Sequence, residues 1–308
     1  MKRIAVWTAM FAFAPMMHAQ YLTTWVASYG NDASNCLRDF PCRTFAAAYV
    51  KTDSQGTIRA VDAADYGAIS INKPITLDGG DSGATIVATN KVGIVVTPGL
   101  TDVVNIRNIN IHTYTPEAVL VYMNGTSVAN IENVAITGDL AGGGISALVN
   151  APASSSEARL NLSNVSIAGT FTGVQMSAGR LTADRLTVHT KYNAFEVGKA
   201  AEKVVVRNSA FHASNNGNAI IIGTDKASVH PISVVIERCE FSQSNTGIMI
   251  SQYASSPVIS VYVSDSVITH NLSGIRFYGA TPQAFSFRNN IIAGNVSDEP
   301  SLTSASFK

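Results

Sequence analysis

Eight times along the chain one alternation returns: apolar, any residue, apolar, two polar residues, then two further apolar positions one apart. It reads Val104-Asn-Ile106-Arg-Asn108-Ile109-Asn-Ile111, then Ala129 to Ile136 and Leu160 to Ile167, with copies centred on Arg185, Asn208, Arg238, Asp265 and Asn289. Alternation by two is the period of a β-strand, not the 3.6-residue period of a helix. The central residues lie 25, 31, 21, 23, 30, 27 and 24 residues apart, as expected for stacked coils with turns of variable length. Leucine-rich repeats share this period but need a Leu-x-x-Leu-x-Leu pattern that is absent. A second marker precedes each frame: Gly93-Ile94, Ala118-Val119, Gly144-Ile145, Gly173-Val174, Ala194-Phe195, Ala219-Ile220, Gly247-Ile248 and Gly274-Ile275. A small residue opening an alternating run predicts another strand, where a side chain would crowd the next coil. Each coil therefore holds at least two strands, and the chain is predicted to be all-β.

Three columns of the frame are apolar throughout. Four residues before the centre stand Val104, Ala129, Leu160, Leu181, Val204, Val234, Val261 and Phe285; two before it, Ile106 to Phe287; three after it, Ile111 to Ile292. These columns predict one continuous core, stacked at about 4.8 Å per coil. The column one after the centre starts as Ile109, Val134, Val165 and Leu186 but continues as Ser209, Cys239, Ser266 and Asn290. That change predicts an internal hydrogen-bonded ladder toward the C-terminus.

The first residues do not fit the repeat. Lys2 and Arg3 precede an apolar stretch, Ile4 to Met17, and Ala19 offers a small residue for cleavage. Residues 1–19 are read as a secretory signal peptide, too short for a membrane span of about 20 apolar residues. No later segment is long and apolar enough to span a bilayer. Its removal takes two of the 21 basic residues and none of the 21 acidic ones, leaving 19 against 21. So little net charge argues against nucleic acid, which needs a basic surface. Of three cysteines, Cys36 and Cys42 bracket a short loop. In an oxidising compartment, periplasmic or extracellular, a disulfide between them is favoured over free thiols, and no neighbouring ligands complete a metal site. Cys239 falls on an inward position as a small apolar residue.

The chain resembles the right-handed parallel β-helix of the pectate-lyase-like superfamily. The likeness rests on the repeat and on the opening Trp25-Val-Ala-Ser-Tyr-Gly30-Asn-Asp32, Pro41-Cys42-Arg-Thr44-Phe45-Ala-Ala-Ala and Gly56-Thr-Ile58, which is similar to that of many exported β-helix-repeat proteins. Thr44 can cap a short helix, Phe45 to Lys51, covering the open end of the core. The resulting divisions are a signal peptide (1–19), an N-terminal cap segment (20–56), the β-helix (57–294) and a polar C-terminal cap or tail (295–308).

The resemblance implies a fold without a reaction, since the superfamily hosts lyases, hydrolases, esterases and adhesins. The Asn-Thr-Asp, Asp-Asp and Gly-His-Gly blocks of polygalacturonase-like hydrolases are missing. On the outward position of the Gly-Ile strand stand Val95, Leu120, Ser146, Gln175, Glu196, Ile221, Met249 and Arg276. Its two charged residues are three coils apart, about 14 Å, so no carboxylate pair falls at glycosidase spacing. No catalytic residue and no cofactor is assigned. His189 and His212 share an outward column but lack a third ligand, so no metal is assigned. The column Arg107, Glu132, Ser163, Asp184, Arg207, Glu237, Ser264 and Arg288 alternates in sign, as stacked neighbours should. Tyr192, Glu196, Arg276 and Tyr278 are the expected ligand-facing residues, since tyrosine pairs an apolar face with a polar tip. The expected function is binding of carbohydrate or a cell-surface polymer along the solenoid face. A divergent polysaccharide lyase or hydrolase and a surface adhesin are the alternatives.

Overall fold

The computed structural model describes residues 21–81, 83–88, 92–99, 101–114, 119–123, 128–138, 145–147, 158–214, 216–223, 231–252, 258–279 and 284–297. The segment read as a signal peptide and residues 298–308 lie outside them. The chain is an all-β parallel solenoid with three ladders running along its length. The first ladder joins β1 (Tyr21–Val26), β2 (Thr52–Ala60), Ile75–Asp78, Val103–Arg107 and the first halves of the later frames, ending at Ala284–Arg288. The second runs from Thr85–Ala88 to Ile291–Ala293. The third carries the Gly-Ile strands, from Ile69–Ile71 to Ser273–Gly279.

The predicted columns are the observed registers. Val104, Ala129, Leu160, Leu181, Val204, Val234, Val261 and Phe285 pair one above another. So do Ile111, Ile136, Ile167, Val188, Phe211, Phe241, Ile268 and Ile292. Nearly all of these side chains are buried, with Phe285 and Ile292 partly covered on the last coil. Such rows supply the folding drive of a solenoid, because no single coil encloses a core of its own.

The frame contributes to two ladders, and in three copies a single continuous strand serves both. Its central residue, in every copy, has left-handed backbone: φ lies between 51° and 58° at Asn108, Asn133, Asn164, Arg185, Asn208, Arg238, Asp265 and Asn289. One such residue turns the chain from the first ladder into the second, which is why apolar residues flank the centre on both sides. Asparagine tolerates this conformation best among residues with a Cβ, and its amide stacks outward on its neighbours. Asn164 Nδ2 donates to Asn133 Oδ1 (2.8 Å) and Asn133 Nδ2 to Asn108 Oδ1 (3.2 Å). Asn164→Val is expected to cost about 1–2 kcal/mol from backbone strain alone. Asn164→Gly, which relieves the strain and loses only the amide, should cost less; urea denaturation of the two variants compares them.

The column that turns polar is an internal ladder. Ser209 Oγ accepts from Leu186 N, Ser266 Oγ from Cys239 N, and Asn290 Oδ1 from Ser266 N. A second internal ladder stands outside the repeated frame: Asn271 accepts from Ser244 N, and Asn295 from Asn271 N. Both satisfy backbone donors at tight turns that face the core.

At the N-terminus Thr44 Oγ1 accepts from Ala47 N at the start of α1 (Phe45–Lys51). Cys36 and Cys42 form a disulfide, and both are fully buried. Their loop covers the outer edge of β1: Trp25 N donates to Cys36 O, Ala27 N to Cys42 O, and Cys42 N to Trp25 O. The ladder thus begins at Tyr21, within the segment assigned to the cap, because β1 pairs in parallel with β2.

Candidate functional site: a groove along the first ladder

Three cavities line the outward side of the first ladder. The N-terminal one, about 330 Å³, is bounded by Gln55, Pro74, Thr76, Asp102, Val103 and Asn105. The middle one, about 410 Å³, is bounded by Arg159, Asn161, Arg180, Thr182, Lys203, Val205 and Arg207. The third, about 230 Å³, follows at Ser233, Val235, Ser260, Tyr262, Ala284 and Ser286. They succeed one another along the axis because each row of outward side chains belongs to consecutive rungs of the same ladder.

Three rows make the groove. One runs Thr76, Asn105, Asn130, Asn161, Thr182, Val205, Val235, Tyr262 and Ser286. Its polar half is a hydrogen-bonded chain: Asn161 Nδ2 donates to Asn130 Oδ1, and Asn130 Nδ2 to Asn105 Oδ1, both at 2.8 Å. The second is the alternating charged row. Arg207 Nε meets Glu237 Oε2 at 2.6 Å, and Arg107 Nη2 meets Asp78 Oδ2 at 3.0 Å. Asp184 lies level with Arg207 but bonds to Arg185 (2.9 Å) and Asn208 (2.6 Å) instead.

The third row is different. Arg159, Arg180 and Lys203 stand directly opposite one another on three successive rungs, bracketed by Val128 and Ser233. Arg180 has Glu202 at 3.3 Å, while Arg159 and Lys203 have no ion-pair partner among the described residues. Among the described residues, the lining of the middle cavity thus has four cationic side chains and no carboxylate. The repeated frame begins four residues before its centre, and this row stands five before it.

The expected ligand-facing residues lie elsewhere and do not form one site. Tyr192, in the turn between the second and third ladders, stacks on Phe171 with ring centroids 5.1 Å apart. Glu196 is held by Gln175 Nε2 (2.9 Å) and Asn193 Nδ2 (2.7 Å). Arg276 shares its outward row, but Ile221 and Met249 stand between them. Tyr278 is exposed near the last coil, level with Ser251. In that row Leu120 is wholly buried, and Tyr122 takes the outward place between Val95 and Ser146. The Ala118-Val119 marker therefore misplaces this one coil by two residues.

His189 and His212 stack, with centroids 4.3 Å apart and planes 19° apart. Burial, and next the neighbouring His212, hold the His189 imidazole below its ordinary value. The next rung adds Ser242, whose Oγ lies 2.9 Å from His212 Nδ1 and donates to Glu240. Among the described residues no group of three or more His, Cys, Asp or Glu is placed to hold a metal ion. Cys239 is buried, and burial pushes its thiol up to about 11, which keeps it protonated and unreactive at neutral pH. No helix of the described residues is long and apolar enough to cross a membrane. Comparison with models of known protein families, with curated proteins and with solved structures finds no match to this chain.

Proposed function

We propose that this is an exported right-handed β-helix of the pectate-lyase-like kind that binds a carbohydrate or cell-surface polymer along the first ladder. The observation carrying this reading is the succession of cavities on one face, each built from outward rows of the same strands. A linear polymer matches a site that repeats along an axis, whereas a small ligand needs one enclosed pocket. The signal-peptide pattern and the disulfide support export to the periplasm or beyond. In this reading α1 and the disulfide loop close the first coil, protecting strand edges that would otherwise pair with other chains.

A panel of immobilised polysaccharides tests the proposal. Thr182→Trp, which fills the floor of the middle cavity, should reduce retention at least tenfold, while Arg276→Ala and Tyr278→Ala should leave it unchanged. Loss confined to the latter two would transfer the site to the third ladder. Release of unsaturated sugars during the same incubation would replace binding by lyase chemistry.

A further inference from the structure

We infer that His189 and His212 form a binding site for a borderline divalent metal ion, Cu(II) in first place, with both imidazoles as ligands and water completing the coordination. The site lies on the second ladder, apart from the groove, and does not depend on the carbohydrate reading. The two rings are level on successive rungs and stack with centroids 4.3 Å apart and planes 19° apart. Their outward row continues in small side chains, Ala168 on one side and Ser242 and Thr269 on the other. No bulky neighbour in that row stands over the ring tips.

A hydrogen-bond chain fixes which nitrogen His212 offers. Ser242 Oγ donates its single proton to Glu240 Oε1 (3.0 Å), and an ionised carboxylate can only accept. In the contact between Ser242 Oγ and His212 Nδ1 (2.9 Å) the imidazole is therefore the donor, which leaves the Nε2 lone pair free. A ligating histidine is held in this way by a carboxylate or carbonyl behind it, which fixes its tautomer and ring orientation. Here Ser242 relays the hold. Ser242 is buried and makes His212 the rigid half of the site, whereas His189 is exposed and can tilt. Two nitrogens in neighbouring positions on one metal, each at about 2 Å, stand about 3 Å apart, so the His189 ring tip must lean toward His212 for both to bind. The donor set chooses the metal. Among the described residues no third His, Cys, Asp or Glu completes the group, so the closed tetrahedron of a structural zinc site is not met. Cu(II) takes imidazole in a square plane with water in the remaining positions, and it stands highest in the order of divalent affinities.

The test is titration calorimetry with copper and zinc chlorides, read together with electron paramagnetic resonance of the copper form. One Cu(II) should bind per chain, at least tenfold more tightly than Zn(II), and its spectrum should show coupling to two imidazole nitrogens. His189→Ala and His212→Ala should each weaken Cu(II) at least tenfold and leave coupling to one nitrogen. Glu240→Gln should weaken it about tenfold, the lower end for a residue behind a ligand, yet keep both nitrogens, because it releases the tautomer without removing a ligand. His112→Ala and His270→Ala, which remove the other described imidazoles, should leave the affinity unchanged. The metal-free thermal midpoint of His189→Ala should also be unchanged, because that ring is exposed. Affinity that survives loss of either histidine, a single nitrogen in the parent spectrum, or no copper bound at millimolar metal would each overturn the site. Unchanged affinity in Glu240→Gln would overturn the part given to Ser242 and Glu240. Copper binding with these signatures, together with silence toward every polysaccharide, would keep the metal site and remove only the carbohydrate reading.

Discussion

Phe211→Ala is expected to destabilise the protein by about 3–5 kcal/mol, the range for emptying a buried aromatic position. Phe211 is fully buried in the row that begins at Ile86 and passes through Ile111. Its ring stacks between Phe195 (5.9 Å) and Phe241 (5.4 Å), nearly parallel to both. The strands on either side are pinned by parallel backbone hydrogen bonds, so they cannot collapse into the space a lost ring leaves. The cost is therefore the transfer of the ring, the stacking of two aromatic pairs and an unfilled cavity. At about 2–4 °C per kcal/mol for a chain of this size, the melting midpoint should fall by about 6–20 °C, followed by far-ultraviolet circular dichroism. Phe211→Leu, which keeps most of the volume, should recover much of the loss. An unchanged midpoint in the alanine variant would mean that these rings do not share one core.

That row was readable from the sequence because burial inside a solenoid acts on every coil alike. Each coil repeats the same inward positions, so eight weak alternations reinforce one another in a single table, and all the predicted pairs from Val104 to Phe285 are in register. The turn at the centre of the frame was less readable. Left-handed backbone favours asparagine, yet Arg185 and Arg238 occupy the same position with φ of 53°. A mixed column of Asn, Arg and Asp looks like an outward strand residue rather than a bend. The inward-facing Asn271 and Asn295 were hidden for a related reason, since they stand in turns whose length varies and fall outside any fixed column.

The groove was hidden by a choice of face. A strand opened by glycine suggests close approach and hence a site, and a carbon placed at Gly173 would indeed collide with the Ala194 carbonyl. Close approach there serves packing between coils. Three successive cavities lie on the first ladder and another, of about 400 Å³, on the third at Ser70 and Val95; the cationic row on the first holds no carboxylate pair to mark it. A row of cations such as Arg159, Arg180 and Lys203 has no spacing rule of that kind. It is recognised only when register places the three side chains side by side.

Asp78→Ala is expected to cost about 2–4 kcal/mol, because it leaves three donors without their acceptor. Asp78 is nearly buried, and its Oδ1 accepts from Gly80 N (2.9 Å) and Asn108 Nδ2 (3.0 Å), its Oδ2 from Arg107 Nη2 (3.0 Å). It also anchors the outward asparagine ladder, which continues from Asn108 to Asn133 and Asn164. Burial by itself would raise this carboxyl, but the Gly80 amide, the Asn108 amide and the Arg107 guanidinium outweigh it and hold it below the ordinary carboxylate value. A depressed value in the folded state means that the ionised carboxylate stabilises the fold above the unfolded value of about 4. That contribution is lost as pH falls through the lower folded value. Asp78→Asn keeps the shape and removes the charge, so its stability deficit should be full at pH 7 and shrink below about pH 4. Urea midpoints of both proteins across that range measure the difference. A deficit that stays constant into acid would show that shape alone, and not the carboxylate charge, holds Arg107 and the start of the ladder in place.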